Sequence, residues 1–488
     1  GKVILIRAVV SHQLGHFREQ EMNDSTLKRF LGNADAANAF GAARDFLQDT
    51  STEDLLDQVG RRVHSVPEAV YPDKRWFQQS YAGADPGQDL VTGQGLFYLS
   101  EDGRLRLDCT AGHYQMTWGY RHPELERLAC ETMDSGIVWD NHSNIPPAPV
   151  KHLSARLVGL ANGVREPGDE LVDDPDTLNT VLLGTCTGTV ACAGALKLAL
   201  VNQKVEKPDA GKPAFIVMEG NYHGTDLFTQ RLRGMWTDYF NNIEVIPVQP
   251  NAPEELAGVF ERCGERVAGF WAEPIMMNRE AIVLDPEYLQ QARRLCDETG
   301  AVMIIDEIQT GFWFPEVLVF HRFGIEPDVL VLGKGLTAGF HPLSGLVYKR
   351  KLDRLEQYDA ISTNGNAALA SCVALGCIDL VEREASRIGR VGEFYNKQMH
   401  SLCEEFPDLL AGIHGAGHMS AMKFRDRNDA LGFHREAVEQ GLWVRAHAYH
   451  EGHSTVLTKF ALPLDRPVAA FTVARFRQLL QQTPWKAQ

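Results

Sequence analysis

The chain has 488 residues, 44% hydrophobic and 23% charged, with 64 acidic against 48 basic side chains and a formal net charge of −16. That length exceeds what one hydrophobic core supports, so two or three lobes are expected, and the balance is that of an ordinary globular protein rather than a disordered or fibrous one. The acid excess disfavours a nucleic-acid partner, which needs a basic face, and would steer a cationic substrate inward, although it serves equally to keep a protein in solution.

The opening GKVILIRAVVSHQ carries an apolar patch, but His12 and His16 follow it without a small-residue cleavage site, which argues against a signal peptide. No apolar run reaches membrane-spanning length, so a cytoplasmic protein with no membrane partner is expected. Residues 1–85 form an N-terminal extension in which AANAFGAARDFLQ and TEDLLDQVGRRV have helical patterns, followed by a polar stretch. Residues 86–145 read as the first part of a small domain: a β-hairpin in GLFYLSEDGRLRLDCTAG, turning at Glu101-Asp102-Gly103, and a helix from His122-Pro123. Pro146, Pro147 and Pro149 mark a stiff boundary.

From 146 to 375 strand and helix patterns alternate. Seven strand-like segments, TVLLG, AFIVMEG, IEVIPV, VAGFWAEP, AVMIIDE, DVLVLG and LSGLVY, are separated by stretches such as VACAGALKLALVNQ and PEYLQQARRLCDETG. That alternation predicts an α/β domain with a mostly parallel seven-stranded sheet. Beyond Tyr348 the pattern changes to three helices (LDRLEQY, NAALASCVALGCIDLVERE, EFYNKQMHSLCEEF), two or three short strands (HMSAMKFR, LWVRAH, STVLTKFAL) and a closing helix, so residues 376–488 complete a smaller α+β domain. The nine cysteines are scattered, with no CxxC pair and no metal-ligand spacing, and read as reduced thiols; no metal is expected.

The chemistry-bearing residues fall at the ends of these strands. Thr185-Cys186-Thr187-Gly188-Thr189 follows TVLLG and opens a helix, where free N–H groups and hydroxyls make an anion cup fit for a phosphate. An ordinary N-cap accounts for that segment equally well. A P-loop is excluded for want of Gly-Lys-Ser/Thr, and the missing GxGxxG disfavours a dinucleotide-dependent oxidoreductase. Tyr222-His223-Gly224 follows AFIVMEG, where an aromatic can stack on a flat heterocycle and glycine permits close approach, or where the three simply make a turn. Glu273 ends VAGFWAEP, Asp306 ends VMIID with Gln309 three residues on, and Lys334 follows DVLVLG. Lysine can hold the aldehyde of pyridoxal phosphate as a Schiff base, while a buried aspartate keeps the ring nitrogen protonated. Taken singly, Asp306 and Lys334 are unremarkable turn residues. Phosphate cup, aromatic, acid and lysine in this order, each at a strand's carboxyl end, are hard to ascribe to chance.

From about Gln94 onward the chain resembles the class III, or ω-aminotransferase-like, branch of the fold-type I pyridoxal phosphate enzymes. LDCTAGHYQMTWGYRHPEL is similar to that family's Gly-His-x-His-Pro region, TCTGTVACAGALKLA to its Ser-Gly-Thr-Glu-Ala phosphate helix, and GNYHGTDL to its Tyr-His-Gly turn. MIIDEIQTGF with GIEPDVLVLGKGLTAGFHPLSG is the most specific match, with Asp306 and Lys334 28 residues apart, and STNGNAALAS resembles the later Thr-Phe-Gly-Gly-Asn-Pro element. The resemblance implies Lys334 as Schiff-base lysine and proton carrier, Asp306 as pyridinium partner, Tyr222 as stacking aromatic with His223 beside it, and Gln309 against the phenolic oxygen. Glu273 adds a rim carboxylate. Thr187, Gly188 and Thr189 would hold phosphate, completed by Ser362 or Thr363 of a neighbouring subunit, which implies a homodimer.

Three departures, Val190 for glutamate, Ala367 for proline and Phe314-Pro315 for Arg-Thr-Gly, remove no catalytic atom. More consequential is VLTKFALPL, similar to the family's Leu-Arg-x-x-Pro-Pro-Leu, where arginine binds a substrate carboxylate; here Lys459 stands, without arginine's two-pronged fork, with a solvated strand residue as the alternative reading. The implied reaction is amino transfer from a small-molecule amine to an oxo-acid. The missing arginine favours a donor that is not an α-amino acid, and the acidic balance, with a loose likeness to diverged members in aminoglycoside antibiotic pathways, suggests an amino sugar. An epimerase, mutase or dehydratase, for which Cys186 could be a second proton carrier, and a non-catalytic binding protein of the same fold are the alternatives.

Overall fold

A computed structural model describes residues 24–76, 88–138, 144–360, 362–448 and 450–486. The chain divides into two compact units: residues 1–108 with 437–443, and residues 109–436 with 444–488. The histidines that follow the apolar opening lie outside the described residues, as does most of the polar stretch before residue 88.

In the first unit both helical patterns of the extension form helices, Ala34–Asp49 (α1) and Thr52–Gln58 (α2). Each begins where the sequence offers a side-chain oxygen: Asn33 accepts from Ala36 N–H and Ser51 from Asp54 N–H. The expected hairpin is present as Phe97–Ser100 (β1) and Leu105–Asp108 (β2), paired antiparallel. Asp102 makes its turn by accepting from Ser100 Oγ and Arg104 N–H, with Gly103 at φ +73°. The short strand Leu442–Trp443 adds parallel to β2.

The second unit is built on a seven-stranded sheet. Its strands are Leu178–Leu182 (β3), Ala214–Met218 (β4), Glu244–Val248 (β5), Val267–Ala272 (β6), Val302–Asp306 (β7), Val329–Leu332 (β8) and Gly345–Lys349 (β9). Their order across the sheet is β3-β9-β8-β7-β6-β4-β5. The five strands from β8 to β5 run parallel, and β9 runs antiparallel to both of its neighbours. Strands β4, β6, β7 and β8 are buried at every position, which is why they read as unbroken apolar runs rather than alternating ones. The helix Gly188–Glu206 (α3) packs on the sheet through Ala191, Cys192, Ala195 and Leu198, opposite Phe215, Trp271, Ile304 and Val331.

Helix and strand readings beyond Tyr348 need three corrections. LDRLEQY is not a helix: one short turn, Arg350–Leu352, precedes irregular chain in which Asp353 accepts from Tyr348 Oη at 2.8 Å. The next two predicted helices are one, Ala368–Glu405 (α4), whose interior glycines do not terminate it; Gly392 serves packing, a Cβ there standing 3.0 Å from Gly417 Cα. The small sheet has four strands, Leu410–His414 (β10), Met419–Phe424 (β11), Arg445–His447 (β12) and Thr455–Lys459 (β13), in the antiparallel order β10-β11-β13-β12. LWVRAH is therefore not one strand: Leu442–Trp443 pairs with β2, and only Arg445–His447 enters the small sheet.

Candidate active site

Parallel strands expose their final residues along one edge, and there the chain collects its chemistry. Asp306 is the last residue of β7 and Glu273 follows β6 directly; Tyr222 and His223 lie on the turn after β4, Gly188 opens α3, and Lys334 stands two residues past β8. A cavity of about 130 Å³ is lined by eight residues of the expected set: Gly188, Thr189, Tyr222, His223, Glu273, Asp306, Gln309 and Lys334. Gly224 and Ile308 complete the lining.

Asp306 is buried and held by three donors. Ile308 N–H donates to Oδ1 at 2.9 Å, while His223 Nδ1, at 2.8 Å, and the Cys192 thiol, at 3.4 Å, both meet Oδ2. His223 is itself buried against Trp271, ring centroids 4.9 Å apart, and its Nε2 has no hydrogen-bond partner among the described residues. Burial raises the Cys192 thiol well above its usual range, with Asp306 adding to the effect. Cys192, His223 and Asp306 have donor atoms within 4.8 Å of one another, a spacing that could hold a metal ion. A thiol so resistant to ionisation and a ring nitrogen already bonded to the carboxylate both oppose that use.

Burial also lowers the Lys334 amine, against the pull of Asp306 and Glu273. Glu273 accepts from Tyr222 N–H at 2.9 Å, and burial pushes its carboxyl up to about 7. Backbone shape is imposed by two glycines: a Cβ on Gly188 would come within 2.7 Å of Ile308 Cδ1, and one on Gly224, at φ +128°, within 2.6 Å of Thr189 Oγ1. Arg233 lies over the Tyr222 ring at 5.3 Å.

These residues fit a phosphorylated pyridine aldehyde. Helix α3 starts at the cavity with no acidic residue in its first turn and no side-chain cap from Thr187, so its N–H groups remain for an anion. At the other end, a multiply hydrogen-bonded carboxylate and an amine of lowered basicity suit a ring nitrogen and an aldehyde.

Not every expected residue lines the cavity. Thr187 precedes it, its carbonyl accepting from Ala191 N–H; Ser362 is fixed by its N–H to Gly184 O at 2.6 Å; and Thr363 is exposed. Cys186 is not among the lining residues, and the cysteine that touches the site is Cys192, one turn into α3, which sequence reasoning missed. Lys459 is not a solvated residue. It is fully buried, with Nζ donating to Gln309 O at 2.6 Å, Tyr114 O at 3.0 Å and Gln309 Oε1 at 3.2 Å, and lying 3.6 Å from the Trp313 ring centre.

The sequence matches the family described as "Aminotransferase class-III" over residues 82–457. Among curated proteins it is similar to a putrescine aminotransferase of Pectobacterium atrosepticum, 25% identical over 71% of this chain and 72% of that one. An ornithine aminotransferase of Emericella nidulans is 28% identical over 67% of this chain and 72% of its own length. Among solved structures, a transaminase from the marine bacterium Virgibacillus superposes with a TM-score of 0.73 at 18% identity, over 86% of this chain and 98% of that one. The ornithine aminotransferase of Toxoplasma gondii does so at 0.70 and 22% identity, over 91% and 98%. The fold is accordingly fold type I.

Proposed function

Because the chain belongs to the class III aminotransferases, pyridoxal phosphate enzymes that move an amino group between an amine and an oxo-acid, we propose that Lys334 and Asp306 carry that reaction here. The observation that bears most on this reading is the Asp306 carboxylate, fixed by Ile308 N–H, His223 and Cys192 within the cavity that Lys334 also lines. When bound, the cofactor supplies an electron sink. Lys334 Nζ is the amine that would hold the cofactor by its aldehyde and, once freed, would be the base for the proton on the substrate carbon. Its lowered basicity suits that work near neutral pH. Asp306 holds the ring nitrogen's proton, and His223 and Cys192 fix the carboxylate that does so.

Tyr222 would stack on the ring. With Gln309 Oε1 committed to Lys459, the Gln309 amide N–H groups would remain as donors for the phenolic oxygen. Gly188 and Thr189 would hold the phosphate with Thr187, and Ser362 or Thr363 would complete it from a second copy, so the working unit of this reading is a homodimer. The donor is an amine whose reacting nitrogen is remote from any α-carboxylate. Lys459 makes no two-pronged clamp for such a group, the net charge of −16 suits a cation, and the relatives named for putrescine and ornithine suit a diamine-like donor. Amino sugars fall within the same charge class.

Borohydride reduction of the yellow protein followed by peptide mapping tests the assignment: label on the Lys334 peptide is expected, and label elsewhere, or no chromophore after reconstitution, overturns it. Incubation with amines and 2-oxoglutarate in deuterated buffer tests the reaction. Glutamate formed with loss of the cofactor aldehyde means transfer, whereas deuterium entering the amine without net transfer means an epimerase or mutase.

A further inference from the structure

An enzyme that returns its amino group to an oxo-acid must hold a carboxylate near Lys334, and Lys459 has no capacity left to do so. Burial, with Lys334 adding to it, holds its amine well below the usual lysine range, its Nζ already meets three acceptors on Gln309 and Tyr114, and its remaining face is closed by Trp313. The acceptor must find another cation.

The small sheet offers one on the same face. Arg445 is paired with Leu457, and directly opposed residues of an antiparallel pair project to the same side, as do positions two apart along a strand. Arg445, Leu457 and Lys459 therefore share one face, whereas Thr458 turns to the other and bonds Tyr395 of α4 at 2.7 Å. Unlike most arginine side chains of this chain, that of Arg445 makes no hydrogen bond or ion pair among the described residues, and its Nε is fully buried without a partner. A guanidinium held partly inside with no acceptor is costly unless something binds it.

Two histidines are coupled to it electrostatically. His113 lies on the turn Ala111–Tyr114, where four consecutive residues have φ between +49° and +74°, a left-handed run that is strained for alanine, histidine and tyrosine. Burial first, and then the charges of Arg445, Lys334 and Lys459, push His113 down to about 4. His447 shares the face of Arg445, two residues along β12, and it too is pushed down by burial and by Arg445.

We propose that Arg445 is the receptor for the carboxylate of the oxo-acid acceptor, taking the place that the family's arginine would have at position 459. The assignment rests on the aminotransferase reading for the identity of its ligand, an oxo-acid with a planar carboxylate that a guanidinium can grip with two parallel N–H groups. In this proposal His113, its ring uncharged at working pH, is a neutral donor that accompanies the guanidinium.

Calorimetric titration of the cofactor-loaded protein with glutarate, an unreactive dicarboxylate, tests it. Arg445→Gln is expected to raise the glutarate Kd tenfold or more, and Arg445→Lys, which keeps the charge but loses the fork, to give an intermediate value, with cofactor absorbance checking that both variants are loaded. Binding by R445Q within twofold of the parent, or no glutarate binding by the parent, overturns the proposal. The titration reads no amino transfer. A protein that binds glutarate through Arg445 yet moves no amino group to 2-oxoglutarate from any amine would sink the reaction reading and leave the carboxylate site standing.

Discussion

Asp306 is held by donors of unlike strength, a backbone N–H, an imidazole and a thiol, and none of them is itself a full charge partner of the arginine kind. Its negative charge is therefore left to act on whatever faces it in the cavity. Asp306→Asn keeps the shape and the acceptor for Ile308 N–H but removes that charge, so kcat should fall by about 10²–10³ or more while the bound chromophore on Lys334 persists. Loss of the chromophore in D306N, or an unchanged kcat, would contradict the role. Glu273 invites a test of a different kind. Burial pushes its carboxyl up to about 7, whereas an unfolded glutamate titrates near 4.3. Between those values the folded chain keeps a proton that the unfolded chain has lost, so the contribution of this residue to stability declines as pH rises through the window. The decline is on the order of 3 kcal/mol by its upper end. Glu273→Gln, which still accepts from Tyr222 N–H, should flatten the fall in apoprotein stability between pH 5 and 7.5, read from urea unfolding at each pH; equal slopes in parent and variant would refute the burial argument.

At the scale of elements, α4 shows how packing overrides local propensity. Glycine inside a helix costs roughly 1 kcal/mol against alanine, so two glycines three apart read as a break. In the fold they differ. A methyl on Gly389 would meet only Pro315 Cγ at 3.3 Å, whereas one on Gly392 would meet Gly417 Cα at 3.0 Å and His418 Cδ2 at 3.1 Å. Gly389→Ala should be neutral or stabilising by up to about 1 kcal/mol, and Gly392→Ala destabilising by about 1–2 kcal/mol, overpacking outweighing the gain in propensity. Urea midpoints that moved the same way for both would contradict this. The same contrast explains what could be read in advance. Strand-end residues Asp306, Glu273 and Lys334 were legible because a buried parallel strand writes itself as an apolar run and its end is marked by the first polar residue. Cys192 was not, because its meeting with Asp306 depends on the rotation of α3 over the sheet, 114 positions away in sequence. Arg445 was hidden for a related reason: only the register of β12 on β13 puts it on the face of Lys459, and LWVRAH gives no sign that its strand divides after Trp443.

On the scale of the whole molecule, two electrostatic demands pull in opposite directions. In the proposed reaction a net charge of −16 would draw a cationic donor from solution, whereas the oxo-acid is an anion and would need a local positive receptor inside that negative field. The two are compatible because they act over different distances. Long-range attraction is screened within about 8 Å at physiological ionic strength, while a partly buried guanidinium meeting a carboxylate is screened far less. Donor capture should therefore be the salt-sensitive half of the reaction. For a donor carrying two positive charges, kcat/KM should fall by about tenfold between low and roughly 0.3 M salt, with kcat little changed, because steering acts on encounter and not on the bound complex. A zwitterionic donor of zero net charge should show a much shallower fall under the same conditions. Parallel salt dependences for the two donors would mean that the acid excess plays no part in substrate capture and serves solubility alone.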